Sequence, residues 1–143
     1  MNYKFISNTR LFKGLTEKEI KLALSCLKAY TKDYKKDDVI YHSGTFVDAI
    51  GLVLSGSVNI EQDDAWGNVS ILDNIGIKRV FAEAYVCAEK ELLMIDVVAA
   101  EATEILFLNM NHLIETGDNS RSFYMKIVRN MLSIMAAKNL NLS

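Results

Sequence analysis

The chain has 143 residues, half of them hydrophobic, and a formal net charge of −2. This length fits one domain with a single core, and the lack of a lysine- or arginine-rich run argues against nucleic-acid binding by this segment itself. Its two cysteines, Cys26 and Cys87, are too few for a disulfide scaffold, a four-thiolate zinc site or an iron–sulfur cluster. Because neither a signal peptide nor a transmembrane run is present, we expect a reducing, cytoplasmic location.

The first strong helix signal is a capping box. Thr16 precedes an apolar pattern with helical spacing, and Glu19 lies at the third helical position, where its carboxylate can bond back to the cap. This pattern predicts a helix over Glu17–Cys26, with Cys26 packing rather than reacting. Residues 2–15 predict a short helix or turn that docks on a larger body.

From Lys28 onwards the hydrophobic period becomes that of β-strands. Short strands are predicted at 29–35, 39–42 and 50–60, the last interrupted at Ser55-Gly56, and polar or glycine turns separate them. Many short strands with regular turns indicate a sandwich or barrel rather than a parallel sheet.

A hairpin is predicted next. The segment 63–68 forms its turn between strands at 58–62 and 69–73, and Gly67 can adopt the positive φ that such turns need. Trp66 at the tip is expected to be partly exposed. We interpret it as a hairpin cap rather than as the cover of a pocket or partner.

The stretch 75–108 contains a short predicted helix, 81–87, between β-strands, and Glu83 is the acidic residue of that helix. Backbone amides at the start of a helix favour anions, and a carboxylate beside them can accept hydrogen bonds from a hydroxylated ligand. The alternative is an ordinary first-turn glutamate favoured by the helix dipole. Two further strands are predicted at 92–100 and 104–108.

The C-terminal part contains the longest periodic segment. After a helical turn at 109–114 and a break at 117–119, a helix of some six turns is predicted from Ser120 to about Leu142. Two neighbouring apolar lines run along it: Phe123, Ile127, Met131 and Ile134, and Tyr124, Val128, Leu132 and Met135.

Two apolar lines exceed what one contact with a core requires. We therefore expect one line to face the β-structure and the other to face a second copy of the helix, with a core helix in a monomer as the alternative. The predicted dimer interface comprises Tyr124, Ile127, Val128, Met131, Ile134 and Met135.

Several segments together resemble motifs of one known family. They are LFKGL at 11–15 (compare PLF-x-GL), KDDVIYHSG at 36–44 (KGExIYxxGD), LVLSGSV at 52–58 (YLVLSGxV) and VFAE at 80–83 (the FGE of the phosphate-binding cassette). With the order of elements, they make the chain similar to the effector domain of Crp/Fnr-type bacterial transcription regulators.

The resemblance implies a mainly β fold with flanking helices, namely a cyclic-nucleotide-binding-like double-stranded β-helix, or jelly roll. Residues 1–117 would form this sensor domain and residues 118–143 the dimerisation helix. In such regulators a helix-turn-helix domain follows, so we expect the DNA-binding domain to be absent from this chain. Ligand binding would then shift the dimer helices and reorient the DNA-reading helices.

Departures from the family pattern bear on the ligand. In cyclic-nucleotide-binding members the cassette glutamate, matched by Glu83, accepts the ribose 2′-hydroxyl, a glycine allows close approach to the phosphate, and an arginine neutralises it. Here Ala82 replaces the glycine, and Met94 and Ile95 stand at the arginine and the following hydroxyl position. Losing the guanidinium leaves a buried phosphate unpaired, so we do not expect cAMP to bind in the usual manner.

Lys78 or Arg79 could replace the missing cation, although a solvated surface role is the simpler interpretation. The apolar character of the expected pocket suggests a hydrophobic or aromatic effector, or a pocket packed shut. By analogy with the family, the ligand-binding residues would be Phe81, Ala82, Glu83, Ala84, Tyr85, Met94, Ile95, Lys138 and Asn139.

Two rival classes remain. A cupin-type enzyme would need clustered histidines for its metal, whereas His42 and His112 are far apart in sequence. A cyclic-nucleotide-binding regulatory module, free-standing or attached to an enzyme or channel, is the other. Since no catalytic triad, paired carboxylates or phosphate loop occurs, we expect no enzyme, metal or cofactor. The expected partners are a second copy, an effector, and DNA only through the absent domain, with no membrane contact.

Overall fold

We describe a computed structural model of residues 1–88, 90–111 and 122–140. Two four-stranded antiparallel sheets form the body, with strand orders β1-β8-β3-β6 and β2-β7-β4-β5. The strands are β1 Tyr30–Tyr34, β2 Val39–Tyr41, β3 Ala49–Ser55, β4 Val58–Asp63, β5 Val69–Ile75, β6 Val80–Phe81, β7 Asp96–Ala99 and β8 Thr103–Asn109. This arrangement confirms the predicted mainly β jelly roll with flanking helices.

In the described part of the chain, four helices flank the sheets: α1 Tyr3–Ser7, α2 Glu17–Cys26, α3 Glu83–Cys87 and α4 Tyr124–Asn139. The prediction for α2 is confirmed at both ends, and its capping box is formed: the Glu19 backbone N–H donates to Thr16 Oγ1 at 3.2 Å and the Thr16 N–H donates to Glu19 Oε1 at 3.0 Å. The predicted hairpin is also present as β4 and β5, with Gly67 at φ 81°. Trp66 at its tip is 86% exposed.

The strand predicted at 92–100 begins only at Asp96. Before that point the Leu93 N–H donates to Thr45 O at 2.9 Å, and the Gly44 N–H donates to Leu93 O at 2.8 Å. The backbone at Leu93 is therefore paired with the loop after β2 instead of with a sheet. Residues 112–121 and 141–143 lie outside the described part of the chain, and with them the predicted break, the 117/118 domain boundary and the predicted ends of the long helix.

Alternation along the central strands separates two hydrophobic clusters. In β3 and β8, Ile50, Leu52, Leu106 and Leu108 face the helices. The residues between them in sequence, including Val53, Ile105 and Phe107, face the second sheet. The central strands β3 and β8 of the first sheet are thus buried on both sides, and α4 packs on the outer face.

One apolar line of α4 packs against this outer face. Phe123, Ile127, Met131 and Ile134 are all buried in the helix-side cluster. Three of these, Ile127, Met131 and Ile134, were predicted for the dimer interface, yet their side chains are covered by their own subunit. The other line is the more exposed one: Tyr124, Val128 and Met135 are half-buried and Leu132 is 61% exposed.

Glu19 connects α2 to α4 and provides a test of this packing. Its Oε1 also accepts a hydrogen bond from Lys126 Nζ at 2.7 Å. That bond, with the capping bond from Thr16, lowers the pKa of Glu19 from 4.5 to about 2. A carboxyl whose pKa is lowered on folding stabilises the fold above its ordinary pKa, and this stabilisation is lost as the pH falls towards the lowered value.

We expect Glu19→Gln, which keeps the capping geometry, to lower the free energy of unfolding at pH 7 by about 1 kcal/mol. The difference from the native chain should shrink between pH 4.5 and about 2, as followed by urea unfolding at several pH values. Glu17→Gln is the control, since Glu17 and Lys21 form an exposed pair at 3.4 Å. Equal losses in the two variants would contradict the assigned role of Glu19.

Candidate functional site

An open hollow of about 230 Å³ lies at the end of the β-roll, where the short helix α3 meets the C-terminal part of α4. Its lining is largely apolar, with two carboxylates and one lysine. The residues lining the hollow are Ile60, Asp73, Ile75, Phe81, Ala82, Glu83, Ala84, Tyr85, Ile95 and Lys138.

The geometry of α3 is set by its first residues. Phe81 is the last residue of β6, and its side chain is buried in the core, with 1% exposed. Ala82 then adopts a left-handed conformation, with φ 68° and ψ 7°, and Glu83 begins the helix. A residue with a Cβ is strained in this region, where glycine is not. The conformation suits the glycine of the FGE motif that this segment resembles, and Glu83, the next residue, lines the hollow.

Glu83 is buried, with 4% of its surface exposed. Its Oε1 lies 2.5 Å from Lys138 Nζ, which reaches it from α4 and also donates a hydrogen bond to Val80 O at 2.8 Å. The negative charge is therefore neutralised within the chain, and the burial cost of the carboxylate is offset by this partner. In this arrangement one of the two Glu83 oxygens, the acceptors expected to bind a ligand hydroxyl, is occupied by the ammonium group.

On the β7 side of the hollow, the lining residues that the structure describes include no cation that could neutralise a ligand phosphate. Met94 stands at the position expected for an arginine, and its side chain is 71% exposed and does not line the hollow. Among the described residues that line the hollow, Lys138 is the one cation, and Glu83 already binds it. Asp73 adds a second carboxylate to the lining. This charge balance favours ligands with hydroxyl or cationic groups over phosphates.

Seven of the nine predicted ligand-binding residues surround the hollow. They are Phe81, Ala82, Glu83, Ala84, Tyr85, Ile95 and Lys138. The structure places Met94 and Asn139 outside the lining, because Met94 projects into solvent and Asn139 is exposed near the end of α4.

Three lining residues were missed from the sequence: Ile60, Asp73 and Ile75. They lie on the β4–β5 hairpin, where Ile60 is paired with Asp73, and Ile75 lies beside the start of β4. The hairpin itself was predicted. Its alternation could have identified Ile60 and the residue opposite as facing inwards.

Other candidate chemistry is less favourable. Partial desolvation and the negative charge of Glu83 raise the pKa of Cys87, which disfavours its reactive thiolate form. The part of the chain that the structure describes contains no group of three or more histidine, cysteine and acidic residues able to hold a metal ion. His42 is exposed there, and His112 lies outside the described residues.

Within residues 1–88, 90–111 and 122–140, no helix has both the length and the apolar character needed to span a membrane.

Comparison with known proteins identifies the domain. The family model "Cyclic nucleotide-binding domain" matches residues 31–124, which is more than half of the chain. No curated protein sequence matches the chain.

Three solved structures illustrate the similarity in fold. The sensor domain of the transcriptional regulator DNR from Pseudomonas aeruginosa has a TM-score of 0.74 at 18% identity, covering 96% of this chain and 90% of that one. A cyclic nucleotide-binding domain from Methylobacillus flagellatus has a TM-score of 0.81 at 17% identity, with 98% and 77% covered. The Catabolite Activator Protein of Thermus thermophilus has a TM-score of 0.73 at 26% identity, with 93% of this chain covered.

This chain spans 59% of the length of the Catabolite Activator Protein and most of the isolated DNR sensor domain. The resemblance to effector domains of Crp/Fnr-type regulators is confirmed at the level of the domain family. Because the family model covers the β-roll and the cassette around Glu83, the chain belongs to the cyclic nucleotide-binding domain family.

Proposed function

We propose that this chain is the effector-sensing and dimerisation domain of a Crp/Fnr-type transcription regulator. It binds a small ligand in the hollow between α3 and α4, but not cAMP in the usual manner. Binding would control a DNA-binding domain outside this sequence. The domain would act as a cytoplasmic sensor and not as an enzyme.

The observation that carries the proposal is the state of Glu83. Its carboxylate is buried at the hollow, as a sugar-reading residue requires, yet Lys138 binds it at 2.5 Å and no arginine opposes it. A cyclic nucleotide would have to compete with Lys138 for Glu83 Oε1 and place its phosphate beside the carboxylates of Asp73 and Glu83. The like charges of these groups oppose that step.

Dimerisation is supported by the exposed apolar line of α4. Leu132 is 61% exposed and Met125 is 62% exposed, and half-buried Tyr124, Val128 and Met135 continue this surface. Covering it with a second α4 would remove apolar area from water. Sedimentation equilibrium measures this directly, and a monomer at high concentration would contradict it.

The proposed ligand specificity is tested by a thermal-shift screen of cAMP and cGMP against polyols and aromatic or apolar amines. We expect cAMP to give little or no shift, whereas a ligand at a hundredfold excess over its Kd should stabilise the chain by about 2.7 kcal/mol. A ligand bound through Glu83 should lose about tenfold in affinity in Glu83→Gln. Lys36→Gln, far from the hollow in the turn before β2, serves as the control.

A large saturable shift with cAMP in the native chain would contradict the proposal. It would favour instead a cyclic-nucleotide-binding regulatory module, whether free-standing or attached to an enzyme or channel. In that case Lys138 would have to release Glu83 readily. The loss of stability in Lys138→Met measures the strength of that pair independently.

A further inference from the structure

A second, smaller cavity of about 110 Å³ also has Lys138 in its lining. We call it the basic pocket. It is lined by Arg10, Lys78, Arg79, Val80, Ile134 and Lys138. Only Lys138 is shared between the two cavities. The cationic side chains come from the turn after α1, the turn before β6, and α4, so the fold brings them together from distant parts of the sequence.

The positive charges of the basic pocket are only partly compensated. Lys138 is paired with Glu83, and Arg79 NH2 lies 3.9 Å from a carboxylate oxygen of Asp73. Arg10 and Lys78 form no ion pair with a carboxylate in the ranges 1–88, 90–111 and 122–140. Lys78 Nζ instead lies 5.4 Å from the centroid of the Phe5 ring. A local excess of positive charge thus exists on a chain whose net charge is −2.

The shape of the pocket suits a compact anion. Val80 and Ile134 are buried and provide an apolar floor, which limits water access and strengthens charge interactions above it. Val80 O is occupied by the hydrogen bond from Lys138. Guanidinium groups bind phosphate oxygens through paired, charge-assisted hydrogen bonds, and lysine adds a mobile point charge. The mixture of arginine and lysine here is the set that phosphate groups favour.

We propose that the basic pocket is an anion site for a phosphate group, either free phosphate or the phosphate of a small metabolite. Arg10 and Lys78 supply the uncompensated charge, and Arg79 flanks them. The site shares only Lys138 with the ligand hollow, and its test, which uses Arg10 and Lys78, does not depend on the function proposed above.

The test uses inorganic phosphate, pyrophosphate and glycerol 3-phosphate as probes, each compared with sodium chloride at equal ionic strength. Screening by salt alone acts on every surface charge, so the matched comparison isolates specific binding. We expect saturable binding by isothermal titration calorimetry and a thermal stabilisation that sodium chloride does not give. A preference for inorganic phosphate or pyrophosphate indicates a free anion as ligand, and a preference for glycerol 3-phosphate indicates a phosphorylated metabolite.

Arg10→Gln and Lys78→Gln should each weaken probe binding about tenfold, because each removes one charge-assisted contact. Lys13→Gln is the control, since Lys13 is exposed on the same N-terminal segment but does not line the pocket. Its affinity should stay within twofold of the native value. Probe binding no stronger than that of chloride would overturn the proposal, and so would equal weakening in all three variants.

Discussion

Replacing Lys138 by methionine should lower the free energy of unfolding by about 3 kcal/mol, because it leaves the carboxylate of Glu83 buried without a partner. Glu83 is 4% exposed, whereas the Lys138 side chain is 27% exposed. The loss should therefore lie at the lower end of the range for broken buried pairs. Methionine keeps the apolar length of the side chain, so the change reports chiefly the lost ammonium group. Urea unfolding at pH 7 measures it.

Replacing the other member of the pair, Glu83, should lower the free energy of unfolding by less. In Glu83→Gln the partly exposed Lys138 can turn its ammonium group towards water, and a neutral amide is less costly to bury than a carboxylate. We expect a loss of about 1 kcal/mol. The double variant should be more stable than the sum of the two losses predicts, with a coupling of at least about 1 kcal/mol.

Arg129→Met provides the control for the change of a cation to methionine on α4. Arg129 is exposed on the same helix, and its replacement should change stability by less than about 0.5 kcal/mol. A Lys138→Met loss as small as that of Arg129→Met would show that the pair with Glu83 contributes little in solution. The competition between Lys138 and a ligand for Glu83 would then lose its energetic basis.

The same pair connects the hollow to the helix that carries the proposed dimer surface. Lys138 holds the C-terminal part of α4 to both Glu83 and Val80 O. A ligand that takes the Glu83 oxygen held by Lys138 would displace Lys138, and would thereby remove a contact that fixes α4 against α3. In the proposed function, occupancy of the hollow would be transmitted to the helix interface in this way, without any change in the β-roll.

The sequence predicted α2 and the β4–β5 hairpin because short-range contacts determine the geometry of both. The capping box of Thr16 and Glu19 determines where α2 begins, and the turn containing Gly67 fixes the β4–β5 hairpin. Both depend on contacts between residues that are close in sequence. The family motifs predicted Glu83 as a ligand-binding residue, and Glu83 lies in the lining of the hollow.

Sequence reasoning was weakest where distant segments meet. It placed Lys138 near a ligand, but it could not show that this side chain already binds Glu83, because the rotation of α4 on the sheet is decided by tertiary packing. Counting along a motif assigned Met94 to the missing arginine, yet the turn before β7 directs that side chain into solvent. The basic pocket likewise joins Arg10 to Lys78 across elements that no local pattern relates.

Gly51 was not singled out from the sequence, and its replacement should have one of the largest effects in the chain. It lies in β3, paired with Phe81 of β6 on one side and with Phe107 of β8 on the other. A Cβ atom at Gly51 would overlap the ring of Phe81. That ring is 1% exposed and packs edge-on to Tyr41, with 6.0 Å between ring centroids. The ring has little room to move.

We expect Gly51→Ala to lower the free energy of unfolding by about 3 kcal/mol, the upper part of the usual range for overpacking. Because Phe81 directly precedes Ala82 and Glu83, displacing its ring should also distort the hollow and weaken any ligand bound there. Adding Phe81→Leu should recover part of the loss, since the smaller side chain makes room for the new methyl group. Gly76→Ala is the control, because nothing lies within 4 Å of a Cβ at that position. If both glycine variants unfold at the same urea concentration as the native chain, the close approach of β3 to Phe81 does not exist in solution, and the placement of α3 over the hollow would need another explanation.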